Sequence, residues 1–152
     1  MDTTELEKRV EAVEAIKQLK ARYCAACDNR YDADAIAELF TEDGIWDGEG
    51  FGRFEGRDAI RAFFRTCPNT RSFAIHQVMN PMIEVKGGRA RGSWYLLAPC
   101  TLRRNNRAMW LAARYEEEYV NSGGTWKIKH LKGIGRFFAA YDTGWAKKQT
   151  ST

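Results

Sequence analysis

The sequence predicts an α+β domain in which three N-terminal helices pack against a strongly bent, mixed or antiparallel sheet. Before about residue 70, apolar residues recur three and four positions apart, as they do on one face of a helix. From residue 71 onward they alternate with a period of two, as in half-buried strands. Pairs rich in glycine and asparagine separate the alternating runs, where hairpin turns need them. Helices first and strands second is the order expected when helices cover one face of a sheet.

The helical part divides into three segments. The capping box T-E-L-E, from Thr4 to Glu7, predicts the start of a first helix that continues to Asp28. A second, short helix has Ile36, Leu39 and Phe40 inward and ends just before Gly44. Five glycines in residues 44–56 predict an irregular hairpin, and a third helix follows at about 57–66, closed by Pro68.

The strand part contains four long strands, near 72–86, 89–102, 107–121 and 124–138. Pro81 interrupts the first of them and predicts an edge position or a β-bulge. Strict alternation in the last strand places one set of residues on a single face: Trp126, Ile128, His130, Lys132, Ile134 and Arg136. A sheet of long bent strands around helices forms a cone, and a cone has room for a ligand.

Composition restricts the class of protein. The 152 residues fit one domain, 1–152, with a disordered tail expected from about residue 145. The net charge of +4 comes from 24 basic and 20 acidic residues that are mixed along the chain, so we expect no nucleic-acid partner. No apolar run is long enough to span a membrane, and the charged N-terminus lacks the core of a signal peptide. These features predict a cytoplasmic protein without a membrane partner.

The cysteines do not form a recognisable metal or redox motif. Cys24 and Cys27 have the CxxC spacing, yet the chain has no second such pair and neither histidine is near them in sequence. They also fall late in a helix, whereas redox pairs open one. We therefore expect Cys24, Cys27, Cys67 and Cys100 to be reduced and buried, and we expect no metal site.

His76 is the candidate base. It is one of two histidines, and it lies between apolar residues in a predicted strand. An imidazole becomes an effective base when a carboxylate orients it, and Asp28, at the end of the first helix, is the natural candidate. Tyr23, about 7.5 Å earlier along the same helix, can present a phenol to the other end of a small substrate. A core histidine held by ordinary hydrogen bonds is the alternative.

The order of these motifs resembles a known family. Tyr23-x4-Asp28 is followed by 38-ELFTEDGIWD-47 and 57-RDAIRAFF-64, then by His76-x3-Asn80, Tyr115-x-Glu117-x-Tyr119 and Trp126-x-Ile128. Over about residues 5–140 the chain resembles the SnoaL-like branch of the nuclear-transport-factor-2-like cone folds. It is most similar to the bile acid 7α-dehydratases, with scytalone dehydratases and hexachlorocyclohexane dehydrochlorinases as relatives. The dehydrochlorinase pattern has a lysine where Tyr23 stands.

The resemblance implies a cofactor-free lyase, a dehydratase or dehydrohalogenase. Its catalytic residues would be Tyr23, Asp28, His76 and Arg136, with Lys132 as the alternative to Arg136. An isomerase or polyketide cyclase that uses the same dyad is an alternative, and so is a protein that binds a hydrophobic ligand without catalysis.

The supply of aromatic residues favours a small, hydrophobic, cyclic substrate. The expected pocket residues are Phe40, Trp46, Phe54, Phe64, Trp94, Trp110 and Lys132. No cofactor is expected, because the glycines at 48, 50, 52 and 56 fit no phosphate-binding fingerprint. The family and the exposed sheet face together predict a homo-oligomer, a trimer ahead of a dimer.

Overall fold

A computed structural model describes residues 2–146, and these residues form three helices and seven strands. The helices are α1 (Thr3–Asp28), α2 (Ala33–Glu38) and α3 (Arg57–Thr70). The strands are β1 (Phe40–Gly48), β2 (Gly52–Glu55), β3 (Arg71–Ala74), β4 (Gln77–Lys86), β5 (Arg89–Leu102), β6 (Arg107–Ser122) and β7 (Thr125–Ala140). The predicted α+β class is confirmed, and the sheet curls strongly around the helices.

The helix termini differ in detail from the prediction. Asp2, not Thr4, caps α1, and its side chain accepts from the backbone N–H of Thr4. The second helix ends at Glu38, earlier than expected, and Phe40 already opens β1. Pro68 lies inside the last turn of α3, which continues to Thr70.

The sheet is mixed. Its strand order is β2-β1-β7-β6-β5-β3, and β4 also pairs with β5. The long strands β5, β6 and β7 are antiparallel neighbours, whereas β1 runs parallel to β7. This parallel pairing places the segment after α2 against the last strand and closes one side of the cone.

The first long predicted strand is in fact two strands, β3 and β4, and the expectation that His76 lies within a strand was wrong. Both strands pair with β5, and His76 occupies the gap between them. Its backbone N–H donates to the Asp28 carboxylate instead of to a neighbouring strand. The predicted irregularity near Pro81 does occur: the register shifts between Met79 and Met82, and Asn80 has a φ of 54°.

Two register shifts in the β6–β7 pair overturn the predicted face of the last strand. Ile128 pairs with Tyr119 but His130 pairs with Glu118, so Lys129 is an extra residue. Beyond this bulge Leu131, not His130 or Lys132, lies in the core. A bulge reverses the faces that follow it, which strict alternation cannot anticipate.

The second shift falls at Arg136, because Gly135 pairs with Ala113 while Phe137 pairs with Ala112. After β7 the chain turns, and the Trp145 ring stacks on Phe137 with ring centroids 5.0 Å apart. The expected disordered tail falls mostly on residues 147–152, outside the described part. Within residues 2–146, no helix is long and apolar enough to cross a membrane.

Candidate active site

A cavity of about 500 Å³ opens between the helices and the inner face of the curled sheet. Its walls are mainly apolar, and they include the aromatic rings of Tyr23, Tyr31, Trp46, Phe63, Phe64 and Tyr115. The polar groups that reach it are few, and His76 is one of them. An apolar hollow with a few polar groups is typical of a small-molecule site.

Asp28 and His76 form a hydrogen-bonded pair at the wall of this cavity. The Nδ1 atom of His76 lies 2.9 Å from Oδ1 of Asp28, and the backbone N–H of His76 donates to the same oxygen at 2.8 Å. The His76 side chain is 10% exposed and that of Asp28 is 31% exposed. Because Nδ1 is engaged by Asp28, Nε2 is the ring nitrogen available to the cavity.

Tyr23 lies near the C-terminal end of α1, and its side chain reaches the cavity. Trp46 donates an indole N–H to its hydroxyl at 2.9 Å, so the phenol O–H remains a potential donor. Burial, reinforced by the neighbouring Cys27, raises the pKa of Tyr23 well above its ordinary value. The phenol is therefore neutral at neutral pH and can donate a hydrogen bond.

Tyr31 is a site residue that the sequence did not indicate. Its ring stacks on Phe64 and meets the His76 ring edge-on, with centroids 6.2 Å and 5.8 Å away. It has a left-handed backbone conformation, with a φ of 54°, which is rare for a bulky residue. The loop after Asp28 thus turns the Tyr31 ring back toward His76.

The other predicted catalytic and pocket residues have mixed placements. Arg136, Trp46 and Phe64 line the cavity. Five predicted pocket residues are absent from the lining within residues 2–146: Phe40, Phe54, Trp94, Trp110 and Lys132. The prediction that these five residues line the pocket was wrong.

Three of these five residues lie elsewhere in the core or behind the cavity wall. Phe40 is fully buried and packs against the Tyr23 ring, and Phe54 stacks on Phe63, which itself lines the cavity. Trp94 is buried further along β5 and donates to the Tyr119 hydroxyl at 3.0 Å.

Trp110 and Lys132 lie on the outer face of the sheet. Trp110 alternates with the cavity-lining Leu111, and Lys132 pairs across the strands with Glu116 because of the bulge at Lys129. Arg136 is therefore the last-strand cation that reaches the cavity, and Lys132 does not replace it.

A buried ion pair lies beside the cavity and joins α1 to β6. Lys20 and Glu117 have fully buried side chains and contact each other, and the Tyr119 hydroxyl donates to the same carboxylate. The Lys20 ammonium also lies 3.6 Å from the centroid of the Tyr115 ring and 4.5 Å from that of Tyr23. The cation thus supports two of the rings that line the cavity.

Glycines make room in the cavity where side chains would fill it. Gly133 and Gly135 are on the part of β7 that lines it, and Gly48 faces them from β1. A Cβ atom added at Gly135 would meet open space, whereas one at Gly48 would collide with the Trp46 ring. Part of the cavity volume therefore comes from absent side chains.

The four cysteines are free and buried. Burial raises the pKa of Cys24 and of Cys67 to about 11, so both thiols are protonated at neutral pH. No cluster of histidine, cysteine and acidic side chains in the described part of the chain could hold a metal ion.

Comparison with known families identifies the domain. A family model described as a SnoaL-like domain matches residues 8–132. The chain belongs to the SnoaL-like domain family. The predicted resemblance to this branch of the nuclear-transport-factor-2-like superfamily is confirmed.

Individual relatives of this SnoaL-like chain include dehydrochlorinases. It is 26% identical over 126 residues to hexachlorocyclohexane dehydrochlorinase 1 of Sphingobium indicum, an alignment that covers 82% of this chain and 81% of the relative. A crystal structure of a type 2 hexachlorocyclohexane dehydrochlorinase has a TM-score of 0.83 at 23% identity, covering 95% of this chain and 97% of that one. A scytalone dehydratase-like protein from Novosphingobium aromaticivorans has a TM-score of 0.80 at 22% identity, covering 93% and 99%. The SnoaL-like family thus includes lyases.

Proposed function

We propose that this chain is a cofactor-free lyase, a dehydratase or dehydrohalogenase that removes water or halide from a hydrophobic, cyclic substrate. The observation that carries the proposal is the 2.9 Å contact between Asp28 and the Nδ1 atom of His76 at the wall of an apolar cavity. The dehydrochlorinase and dehydratase relatives support the class of reaction.

The proposed mechanism begins with proton abstraction from carbon by Nε2 of His76. Asp28 holds the ring in the required orientation and stabilises the imidazolium that forms. The C–H electron pair then forms the new double bond as the leaving group departs. Tyr23, neutral and hydrogen-bonded by Trp46, donates to the developing negative charge or protonates a departing hydroxyl. Arg136 holds a substrate carbonyl or carboxylate.

The dyad is tested by NMR titration of the His76 ring protons in the parent protein and in Asp28→Asn. Loss of the carboxylate charge is expected to move the His76 titration to lower pH, because the imidazolium loses its partner. The His130 signals provide an internal control and should titrate unchanged. An unchanged His76 titration in Asp28→Asn would remove the basis of the enzyme proposal and favour the ligand-binding alternative.

The reaction is tested by screening cyclic hydroxyketones, steroids and alicyclic halides, with mass analysis of the products. Loss of water or halide supports the lyase, whereas a product of unchanged mass would indicate an isomerase or cyclase with the same base. Replacement of His76 by glutamine should lower turnover by roughly 10²- to 10⁴-fold, the usual contribution of a general base. Turnover that falls less than about tenfold in this variant would contradict the mechanism.

We also propose that the chain forms a homo-oligomer, with a trimer ahead of a dimer. Large apolar side chains are exposed on the neighbouring strands β3, β4 and β5: Phe73, Met79, Met82 and Tyr95. Light scattering after size exclusion should give a multiple of the 17.4 kDa chain. Tyr95→Lys should lower the mass, whereas Leu6→Lys, at an exposed apolar site on α1, should not. A monomeric parent protein would rule the oligomer out.

A further inference from the structure

Two arginines reach the cavity from different strands. Arg71 is the first residue of β3, and Arg136 lies in the bulge of β7. Both line the cavity, and within residues 2–146 neither forms an ion pair with a carboxylate. Other arginines of the chain, such as Arg53 and Arg61, do form such pairs.

Arg71 is held in place by apolar and aromatic neighbours. Its guanidinium lies 4.9 Å from the centroid of the Phe51 ring, which also lines the cavity. Burial raises the pKa of the Cys67 and Cys100 thiols, and the Arg71 charge opposes that rise at both. The Arg71 guanidinium therefore forms part of the cavity wall and packs against the Phe51 ring.

The remaining charges around the cavity do not neutralise these two cations. The Asp28 carboxylate is engaged by His76. Glu49 lines the cavity, but it is an exposed residue and forms no ion pair with either arginine within residues 2–146. A half-buried guanidinium without a carboxylate is better satisfied by a bidentate anion from outside the protein. The rest of the lining is suited to a ring.

We propose that the ligand of this cavity carries a carboxylate, which Arg71 binds, while its ring system lies against the aromatic wall beside His76. Arg136 provides a second cation for the same ligand. This inference rests on the proposed function for the identity of the site, and it adds the class of substrate: cyclic acids rather than neutral cyclic compounds.

The experiment compares two nearly isosteric probes, naphthalene-2-carboxylate and naphthalene-2-carboxamide, by isothermal titration calorimetry at neutral pH and low salt. The parent protein is expected to bind the carboxylate roughly ten- to hundredfold more tightly than the amide, as for a charge-assisted hydrogen bond. Arg71→Met should remove most of that preference by weakening the carboxylate alone. Arg71→Lys, which keeps the charge but loses the planar fork, should be intermediate.

The matched control is Arg104→Met, which removes the same charge from an exposed turn and should leave both affinities unchanged. Equal affinity of the parent protein for the two probes, or no binding of the carboxylate, would overturn the inference. Equal weakening of both probes by Arg71→Met would also overturn it, since that result indicates a loss of cavity shape. The His76 titration does not depend on these affinities, so failure of the carboxylate preference and failure of the dyad are distinguishable.

Discussion

Arg30 and Tyr31 both have left-handed backbone conformations, with φ values of 52° and 54°, directly after the helix that supplies Asp28. Such conformations cost free energy in residues other than glycine. Backbone strain of this kind is often found at functional sites. Here the two residues reverse the chain after α1 so that the Tyr31 ring packs against His76. The turn therefore connects the carboxylate and the aromatic neighbour of the same imidazole.

At the residue scale we predict that Arg30→Gly does not destabilise the protein, because glycine adopts a positive φ without a steric penalty. Arg30 is exposed, so little packing is lost. The matched control is Arg22→Gly, at an exposed position inside α1, where glycine should cost about 1 kcal/mol. Urea unfolding of both variants checks the prediction. A loss at Arg30 as large as that at Arg22 would show that the turn is not strained.

Some residues near the cavity could be predicted from the sequence and others could not. Tyr23, Asp28 and His76 were found because their order and spacing follow a family pattern and because their chemistry is unusual for a core. The positions of Tyr31 and Arg71 depend on a left-handed turn and on where β3 begins. No local pattern of apolar residues encodes either feature.

At the scale of secondary-structure elements, the apolar periodicity of the sequence predicted those helices, strands and turns that depend on neighbouring residues in the chain. The helix α1, the hairpin turns and the strands β5, β6 and β7 follow their periodicity closely. The hairpin predicted at residues 44–56 is formed by β1 and β2. The start of β1 at Phe40 and its parallel pairing with β7 were missed, because β7 is at the far end of the chain and the pairing appears only in the fold. The bulges of β7 were missed for the same reason, since they arise from the fit between strands.

The buried Lys20–Glu117 pair connects α1 to β6, and it gives a prediction at this scale. Lys20→Met should cost about 3–5 kcal/mol of unfolding free energy, because it leaves a buried carboxylate without its cation. The double variant Lys20→Met, Glu117→Leu should recover much of that loss, since no buried charge remains.

Denaturant unfolding of the two single variants and the double variant measures this coupling. Lys8→Met, which breaks the exposed pair with Glu5, is the control and should cost less than about 1 kcal/mol. Strictly additive effects of the two buried substitutions would show that the pair is not a coupled unit.

At the scale of the whole molecule, buried acids make the fold sensitive to alkaline pH. Burial raises the pKa of Tyr23, Cys27, Tyr115 and Tyr119 above their ordinary values, and that of Cys24 and Cys67 to about 11. The folded state therefore holds these protons more tightly than the unfolded state does. The stabilisation that comes from the buried, protonated thiols is complete below the ordinary thiol pKa of 9.0, and it declines as the pH rises above that value.

Between pH 9 and pH 11, Cys24 and Cys67 should each lower the free energy of unfolding by up to about 1.4 kcal/mol per pH unit. Urea unfolding at a series of pH values measures the slope. Cys24→Ala should make the dependence of unfolding free energy on pH shallower, because the contribution of that thiol is removed. Tyr141→Phe, at an exposed phenol, should leave the dependence unchanged. A slope that is the same in Cys24→Ala would contradict the assignment.

The open space beside Gly135 has a consequence for how this protein could diversify. The Asp28–His76 pair is positioned by the end of α1 and the gap between β3 and β4, whereas the volume beside it is set in part by a glycine on β7. An alanine at position 135 would place a methyl group in the chamber without meeting His76 or Asp28, since no heavy atom outside the adjacent residues lies within 4 Å of a Cβ atom there. Under the proposed mechanism, the size of the substrate can therefore change, by evolution or by engineering, separately from the proton transfer.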